Sequence, residues 1–410
     1  MSQALLLKPD RKFVEDIVKS GGGDLKKCYQ CATCSVVCEL STETAPFPRK
    51  EMIWAQWGLK DRLITDPDIW RCHQCNDCSI RCPRGARPGD VLAAVRQKAI
   101  EHHAFPSFLA RAVNQVKFYP LLLVMVPALL LTLALVLRGP VEAILPFEEH
   151  GDAFYAGFFP HWLLIGFYSS FTTISFLGLL VGLARFWRGM AASDKEQGRE
   201  PVLGVIPSVI RIVTSTLVHN RFAKCTDKAG RKLSHLMAFY GFNVLFIVTV
   251  WATIDIYLMP LLGVDSLYPF DLVHPMKILG NLGGVLLIAG CILALRDRLA
   301  GNSESGFSTS FDWTFVWLLL LVGITGFATE VFRFIVDPAQ RTALEYAAYT
   351  FYFVHLVMVF SLLVYLPYSK FAHIFYRTVA LVYAEHTGRT QEAGRAELKA
   401  APEPKMISSS

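Results

Sequence analysis

Charge is scarce in this sequence. Asp, Glu, Lys and Arg make up 18% of the 410 residues and hydrophobic residues 53%. A soluble globular domain carries about a quarter charged residues, so much of this chain is expected in lipid. Lys and Arg are missing altogether from 139–157 and from 255–275. No glycine fingerprint of the dinucleotide-binding kind is present, which excludes a Rossmann-type flavin or nicotinamide site on this chain. Cysteine is nearly absent outside one window: of ten, eight fall within residues 28–82, and only Cys225 and Cys291 lie elsewhere. The opening stretch MSQALLLKPDRKF has no apolar core of signal-peptide type. The cysteines are therefore expected in a reducing compartment, where clustered thiolates serve metals rather than disulfides. The formal net charge of +6 is modest, its placement matters more than its size, and no nucleic acid partner is expected.

What is present divides the chain. Residues 1–110 are polar, with helical patterns such as Asp90–Ala99 and turn signals such as Ser20–Asp24. From Phe118 onward there are six apolar stretches: Phe118–Leu137, Phe158–Ala184, Leu236–Ile254, Ile278–Leu295, Trp313–Thr329 and Tyr346–Ser369. Each approaches or exceeds the roughly 17–25 residues a helix needs to cross a bilayer. Lys and Arg crowd the segment 185–234, the loop after the fourth stretch and the tail, while the two loops without them fall on the other side. The positive-inside rule then puts both termini and the cysteine segment in the cytoplasm, with the chain multi-pass in the inner membrane. Val202–Val218, apolar around a central Arg211, reads as an interfacial or docking helix rather than a seventh span. The expected fold is mainly α: an N-terminal α-helical dicluster ferredoxin domain (1–110), a first transmembrane helix and linker (111–140), and a membrane domain (141–380) that completes a six-helix transmembrane cytochrome b bundle and includes the basic segment 185–234. A disordered tail (381–410), rich in Ala, Glu, Lys and Ser, follows.

The cysteines fall in two runs, Cys28-x-x-Cys31-x-x-Cys34-x-x-x-Cys38 and Cys72-x-x-Cys75-x-x-Cys78-x-x-x-Cys82-Pro83. This is the spacing of bacterial two-cluster ferredoxins, in which three closely spaced thiolates wrap one cubane and the fourth reaches the other. Cys28, Cys31, Cys34 and Cys82 are thus expected to hold one [4Fe–4S] cluster, and Cys72, Cys75, Cys78 and Cys38 the second. Structural zinc uses pairs of cysteines rather than two runs of four. Glu39 stands where proline often follows the first run and removes no ligand. Arg71, Arg81, Arg84 and Arg87 form a basic group that could raise a cluster potential, dock an acidic partner or simply be solvated.

Ionisable residues in spans are functional candidates. His355 and His373 are 18 residues apart, which on one continuous helix is five turns and about 27 Å, suited to two stacked haems. His235 and His373 are expected at the cytoplasmic edge, sharing one b haem. His355, with His161 or His274, is the candidate for a second haem. Lys277 and Arg333 are candidate contacts to haem propionates or a quinone, and Asp255, Glu330 and Glu345 either accept quinol protons or make interhelical bonds. His73, His102 and His103 read as surface residues, His219 and Cys225 as structural.

The stretches CYQCATCSVVC and IWRCHQCNDCSIRCPRG resemble the C subunit of heterodisulfide reductase. The membrane half resembles the cytochrome b subunit of that enzyme and, more distantly, the gamma subunit of respiratory nitrate reductase, whose last helix shares the His355–His373 spacing. That family carries a further haem histidine ten residues after the first, where this chain has Leu245. The fusion of the two modules resembles the C subunits of the quinone-interacting membrane-bound oxidoreductases of sulfate reducers. The resemblance implies an electron-transfer subunit of a membrane-bound quinone oxidoreductase. Its carriers would be two [4Fe–4S] clusters and one or two b haems, its substrate menaquinone, and its partners flavin and iron–sulfur subunits of heterodisulfide reductase A type and adenylylsulfate reductase. A heterodisulfide- or sulfite-reductase-linked complex, or a membrane anchor without haem, are the rival readings.

Overall fold

The computed structural model describes residues 8–42, 45–139, 154–217, 229–300, 306, 308–336 and 343–389, and among these every regular element is helical. His219, Cys225 and residues 390–410 of the expected disordered tail lie outside the described residues, whereas 381–386 of that tail are helical, with Leu381–Glu385 buried. The polar segment folds into α1 (Arg11–Lys19), α2 (Thr33–Val36), α3 (Arg49–Gln56), α4 (Lys60–Ile64), α5 (Asp68–Arg71), α6 (Asp77–Ile80), α7 (Pro88–His103) and α8 (Ser107–Val113). Local chemistry sets several of their ends. The Asp10 carboxylate accepts from the Phe13 N–H at 2.9 Å at the start of α1. Pro88 opens α7, where its missing N–H costs nothing.

The first span covers Val116–Arg138 and ends in the regular helix α9 (Val126–Arg138). A short α10 (Phe154–Phe158) precedes the long α11 (His161–Glu196). After α12 (Val205–Leu217) come α13 (Ala229–Tyr257), α14 (Pro275–Leu299), α15 (Ser310–Ile335), α16 (Ala343–Val364) and α17 (His373–His386). Six helices are long and apolar enough to cross a membrane, as the hydrophobic runs require, and α12 is not one of them. A reciprocal cap opens α15, with the Asp312 carboxylate accepting from the Thr309 N–H and hydroxyl, both at 2.9 Å.

One expectation fails. The last span stops at Val364, the chain passes through tight turns at Leu366–Tyr368 and Lys370–Ala372, and His373 opens a separate helix. Pro367 supplies the reason, since it lacks an N–H and clashes with the preceding turn. His355 and His373 therefore do not share a continuous helix face.

The chain forms two compact units. The first comprises Met1–Ala104, Leu180–Thr226 and Ala372–Ser410; the second, Phe105–Leu179 and Asp227–Phe371. The core of the second unit gathers Leu131 and Leu135 of α9, Phe158 and Phe159, and Ala348, Tyr349, Leu356 and Val357 of α16. Within it α13 and α14 pack closely because small residues meet: a Cβ on Gly290 would lie 2.5 Å from the Ala238 nitrogen. In the first unit Trp70 of α5 is fully buried, stacked on Tyr376 of α17 at 5.9 Å and edge-on to Phe186 of α11. The end of α5, at the edge of the second cysteine run, thus rests on helices from much later in the chain.

Candidate metal centres

The two cysteine runs fold alike. Gln30 and Ala32 in the first, and Gln74 and Asn76 at the matching positions of the second, adopt left-handed backbone with φ between 55° and 69°. Four such residues outside glycine are uncommon, and each costs roughly 1–2 kcal/mol for an ordinary side chain; they curl each loop around a common centre. Each run then enters a one-turn helix, α2 or α6. Ser35 of α2 accepts from the Arg49 N–H at the start of α3 (3.4 Å), and Ser79 of α6 accepts from the Gly89 N–H at the start of α7 (3.1 Å). Each loop is also held from a following helix. Gln56 of α3 donates to the carbonyls of Leu25 (3.2 Å) and Cys28 (2.9 Å). Arg96 of α7 donates to the Ile69 carbonyl at 2.9 Å and to the Gln74 side chain. At Gly89 a Cβ would lie 2.4 Å from the Asn76 amide oxygen, so only glycine lets α7 approach the second loop this closely.

Cys28, Cys31, Cys34 and Cys82 line one cavity together, roofed by Tyr29, Gln30, Arg49 and Arg84. Cys34 feels the charges of Cys28 and Cys82; Cys38 feels Cys72 and Cys75. Cys78 feels Cys72, Cys38 and Cys75, with Cys34 the weakest neighbour, so two crossed groups of four adjoin. Burial pushes the Cys34 thiol up to about 11, Cys38 to about 12 and Cys78 further, while the Thr33 hydrogen bonds hold the exposed Cys31 down. Thiols so buried ionise only where a cation takes the place of the proton, which suits an iron-ligating donor set. Donors already face the sulfurs: Gln30 Nε2 to Cys28 (3.4 Å), the Gln74 N–H to Cys72 (3.3 Å) and the Ala86 N–H to Cys82 (3.4 Å). Hydrogen bonds to cluster-ligating sulfurs tune reduction potential.

Two histidines read as surface residues prove to be structural. His73, between Cys72 and Gln74, receives a hydrogen bond at Nδ1 from Arg377 of α17 (3.1 Å). His103 is buried, donates from Nε2 to the Ile64 carbonyl (3.1 Å), and is held by burial down to about 4. Both partnerships join distant parts of the chain, which no local pattern announces. A third feature also escaped the sequence reading. Glu51, Asp66 and Asp68 are buried side by side in the geometry of a cation site, but the cations are the protein's own. Lys50 lies 3.2, 3.1 and 2.9 Å from the three, and Arg389 reaches Asp66 and Asp68 at 3.3 Å as well as Asp194 of α11. Burial, opposed by Lys50, holds the Glu51 carboxyl well above the usual range.

In the membrane helices, Thr325 of α15 gives its hydroxyl proton to the Leu321 carbonyl (2.6 Å) and lies 3.0 Å from His355 Nδ1. A ring that donates from Nδ1 to this hydroxyl keeps its Nε2 lone pair for a metal. Gly326 gives the ring room: a Cβ there would lie 3.1 Å from His355 Cε1. His274 caps α14, its Nδ1 accepting from the Met276 N–H (3.2 Å) with the ring stacked on Phe270 at 4.3 Å. His161 opens α11 with its ring edge-on to Tyr268 at 5.5 Å. Lys277 and Asn281 of α14 both bind Glu330 of α15, at 3.2 and 3.0 Å. Arg333 sits one turn beyond Glu330, its guanidinium 5.5 Å from the Phe334 ring centre. Asp255 is a loop anchor, accepting from the Ser266 hydroxyl and from the N–H groups of Leu267 and Tyr268. His235, exposed on α13, belongs to the second unit, and His373, half-buried at the start of α17, to the first.

Residues 24–86 match a 4Fe–4S dicluster domain, and residues 114–394 match citrate utilization protein B. The citrate utilization protein B of Escherichia coli is 31% identical over 310 residues, 74% of this chain and 76% of that protein. The chain belongs to the citrate utilization protein B family. The C subunit of the H(2):CoB–CoM heterodisulfide,ferredoxin reductase of Methanothermobacter marburgensis is 36% identical over 109 residues, a quarter of this chain; the chain spans 59% of that relative. The E subunit of the dihydromethanophenazine:CoB–CoM heterodisulfide reductase of Methanosarcina thermophila is 23% identical over 204 residues, 49% of this chain and 73% of that relative. No solved structure matches the chain. The likeness to heterodisulfide reductase subunits read from the sequence is thus found for both the C and the E kind, oxidoreductase subunits that include a membrane component. The citrate utilization protein B family itself was not anticipated.

Proposed function

We propose that the chain is the membrane electron-transfer subunit of a quinone oxidoreductase complex, exchanging electrons between menaquinol in the lipid and soluble flavin and iron–sulfur subunits of heterodisulfide reductase A type. The observation that carries this reading is the pair of crossed four-thiol groups, whose second loop is bonded through His73 to Arg377 on the helix that His373 opens. Two [4Fe–4S] clusters and one or two b haems, when bound, would supply one-electron carriers. Cys28, Cys31, Cys34 and Cys82 would hold one cluster, and Cys72, Cys75, Cys78 and Cys38 the other. His235 and His373 are the proposed ligands of one haem by sequence. His355, its Nδ1 3.0 Å from the Thr325 hydroxyl, is the proposed ligand of a second with His161 or His274. Oxidation of a quinol releases two electrons and two protons. Glu330, held by Lys277 and Asn281, is a carboxylate suited to take one of those protons. The placement of basic loops supports an inner-membrane topology with both termini and the thiol groups cytoplasmic.

Two partner classes follow. The fused modules support adenylylsulfate reductase as the eventual partner in sulfate respiration. The relative named for citrate utilization, aligned over 74% of this chain, supports a partner belonging to citrate utilization instead. Reduced-minus-oxidised spectra of the purified chain test the conduit itself. A b-type α band is expected; its absence would leave only a membrane anchor for an iron–sulfur module. Identifying the subunits that co-purify with the chain separates the two partner classes.

A further inference from the structure

The two cysteine loops differ in what covers them. The second is braced: His73 is bonded to Arg377, and Trp70, two residues before Cys72, is buried against Tyr376 and Phe186. The first is open. Cys31 is exposed, and Tyr29 beside Cys28 is 68% exposed. Val36 of α2 and Ile80 of α6 stand at matching positions, each two residues before the last cysteine of its run, and are 85% and 51% exposed. The two one-turn helices pack on each other, so the same apolar position faces solvent twice on adjoining helices. Side chains this exposed contribute nothing to the core, and a contiguous apolar group rimmed by charge marks an interaction site. The rim is basic. Lys26, Arg81 and Arg84 are exposed, and Arg84 lies over the Tyr29 ring at 4.2 Å. Lys27 is neutralised by Asp24 at 2.6 Å, and Glu39 is the exposed acid in these segments.

We propose that this face of Tyr29, Val36 and Ile80, ringed by Lys26, Arg81 and Arg84, is the docking surface for a soluble acidic redox protein, and that the chain exchanges electrons at the Cys28–Cys34 loop rather than at the Cys72–Cys78 loop. The inference rests on the electron-transfer reading above. Exposed guanidinium and ammonium groups beside the apolar residues suit a water-soluble partner, and their sign selects an acidic one. In each exchange one electron leaves the reduced chain and the acceptor gains it; no bond is made or broken.

The test uses the full chain in lipid nanodiscs, reduced with dithionite freed of excess, and a purified acidic flavodoxin as acceptor in stopped flow. The expected rate falls steeply with salt, and the double variant Val36→Glu/Arg81→Glu, which replaces no residue lining the cavity, slows it roughly tenfold at low salt. The same charge reversal on α1, Lys12→Glu/Lys19→Glu, is expected to leave the rate within about twofold. An unchanged rate in the first variant, or an equal fall in both, overturns the docking surface. If the double variant loses its iron–sulfur absorbance, Lys26→Glu, outside the cavity lining, carries the same comparison. An unaltered chain without iron–sulfur absorbance would overturn the underlying electron-transfer reading instead.

Discussion

Cys82 belongs to the second run by sequence and to the first cavity by position, and Cys38 crosses the other way. The exchange makes the two centres interdependent, because each loop gathers three of its own thiols and takes the fourth from the other run. Cys82→Ser is expected to remove the centre of the Cys28–Cys34 loop, to halve bound iron roughly, and to leave the paramagnetic signal of the other centre. Cys38→Ser is expected to do the reverse. Iron analysis with electron paramagnetic resonance checks both, and loss of the same signal in the two variants would refute the crossing. The cysteines were legible because their spacing is itself the chemistry: three thiolates wrapping one cubane have little freedom in sequence. His73 and His103 were not legible, since their partners, Arg377 and Ile64, lie hundreds and tens of residues away and only folding selects them.

At the level of elements, the spans could be read because a bilayer demands a minimum apolar length, and six helices meet it. The break after Val364 was available in the sequence as Pro367, but the apolar run continues past it and masks the helix end. Helix partners were harder to read. The closeness of α13 and α14 depends on Gly241, Gly283 and Gly290, where added side chains would strike backbone of the facing helix or, at Gly283, Val244. Gly290→Leu is expected to cost about 1–3 kcal/mol through overpacking. Because Ser234 and Ala238 are the residues it would strike, and His235 lies between them, the variant should lose haem absorbance while keeping its iron–sulfur absorbance. Equal retention of both would show that α13 tolerates the shift or that His235 holds no haem.

For the whole molecule, the charge network around Lys50 and Arg389 joins three parts of the chain into one unit: the residues before the second cysteine run, the end of α11, and the stretch after α17. Arg389→Ala would leave Asp66, Asp68 and Asp194 buried with one cation fewer. Breaking a buried pair from one side costs roughly 3–5 kcal/mol, so the denaturant midpoint of iron–sulfur bleaching is expected to fall; an unchanged midpoint would mean the network contributes nothing net. The unit's three stretches, Met1–Ala104, Leu180–Thr226 and Ala372–Ser410, are separated along the chain by the membrane helices. A ribosome delivers them in that order, and Tyr376, Arg377 and Arg389 emerge only after the sixth span. Until then Trp70 lacks its stacking partner and His73 its hydrogen-bond donor. The scaffold around the second cysteine loop is therefore finished only after synthesis has passed every span, which sets metal loading of that loop late in biogenesis, behind membrane insertion.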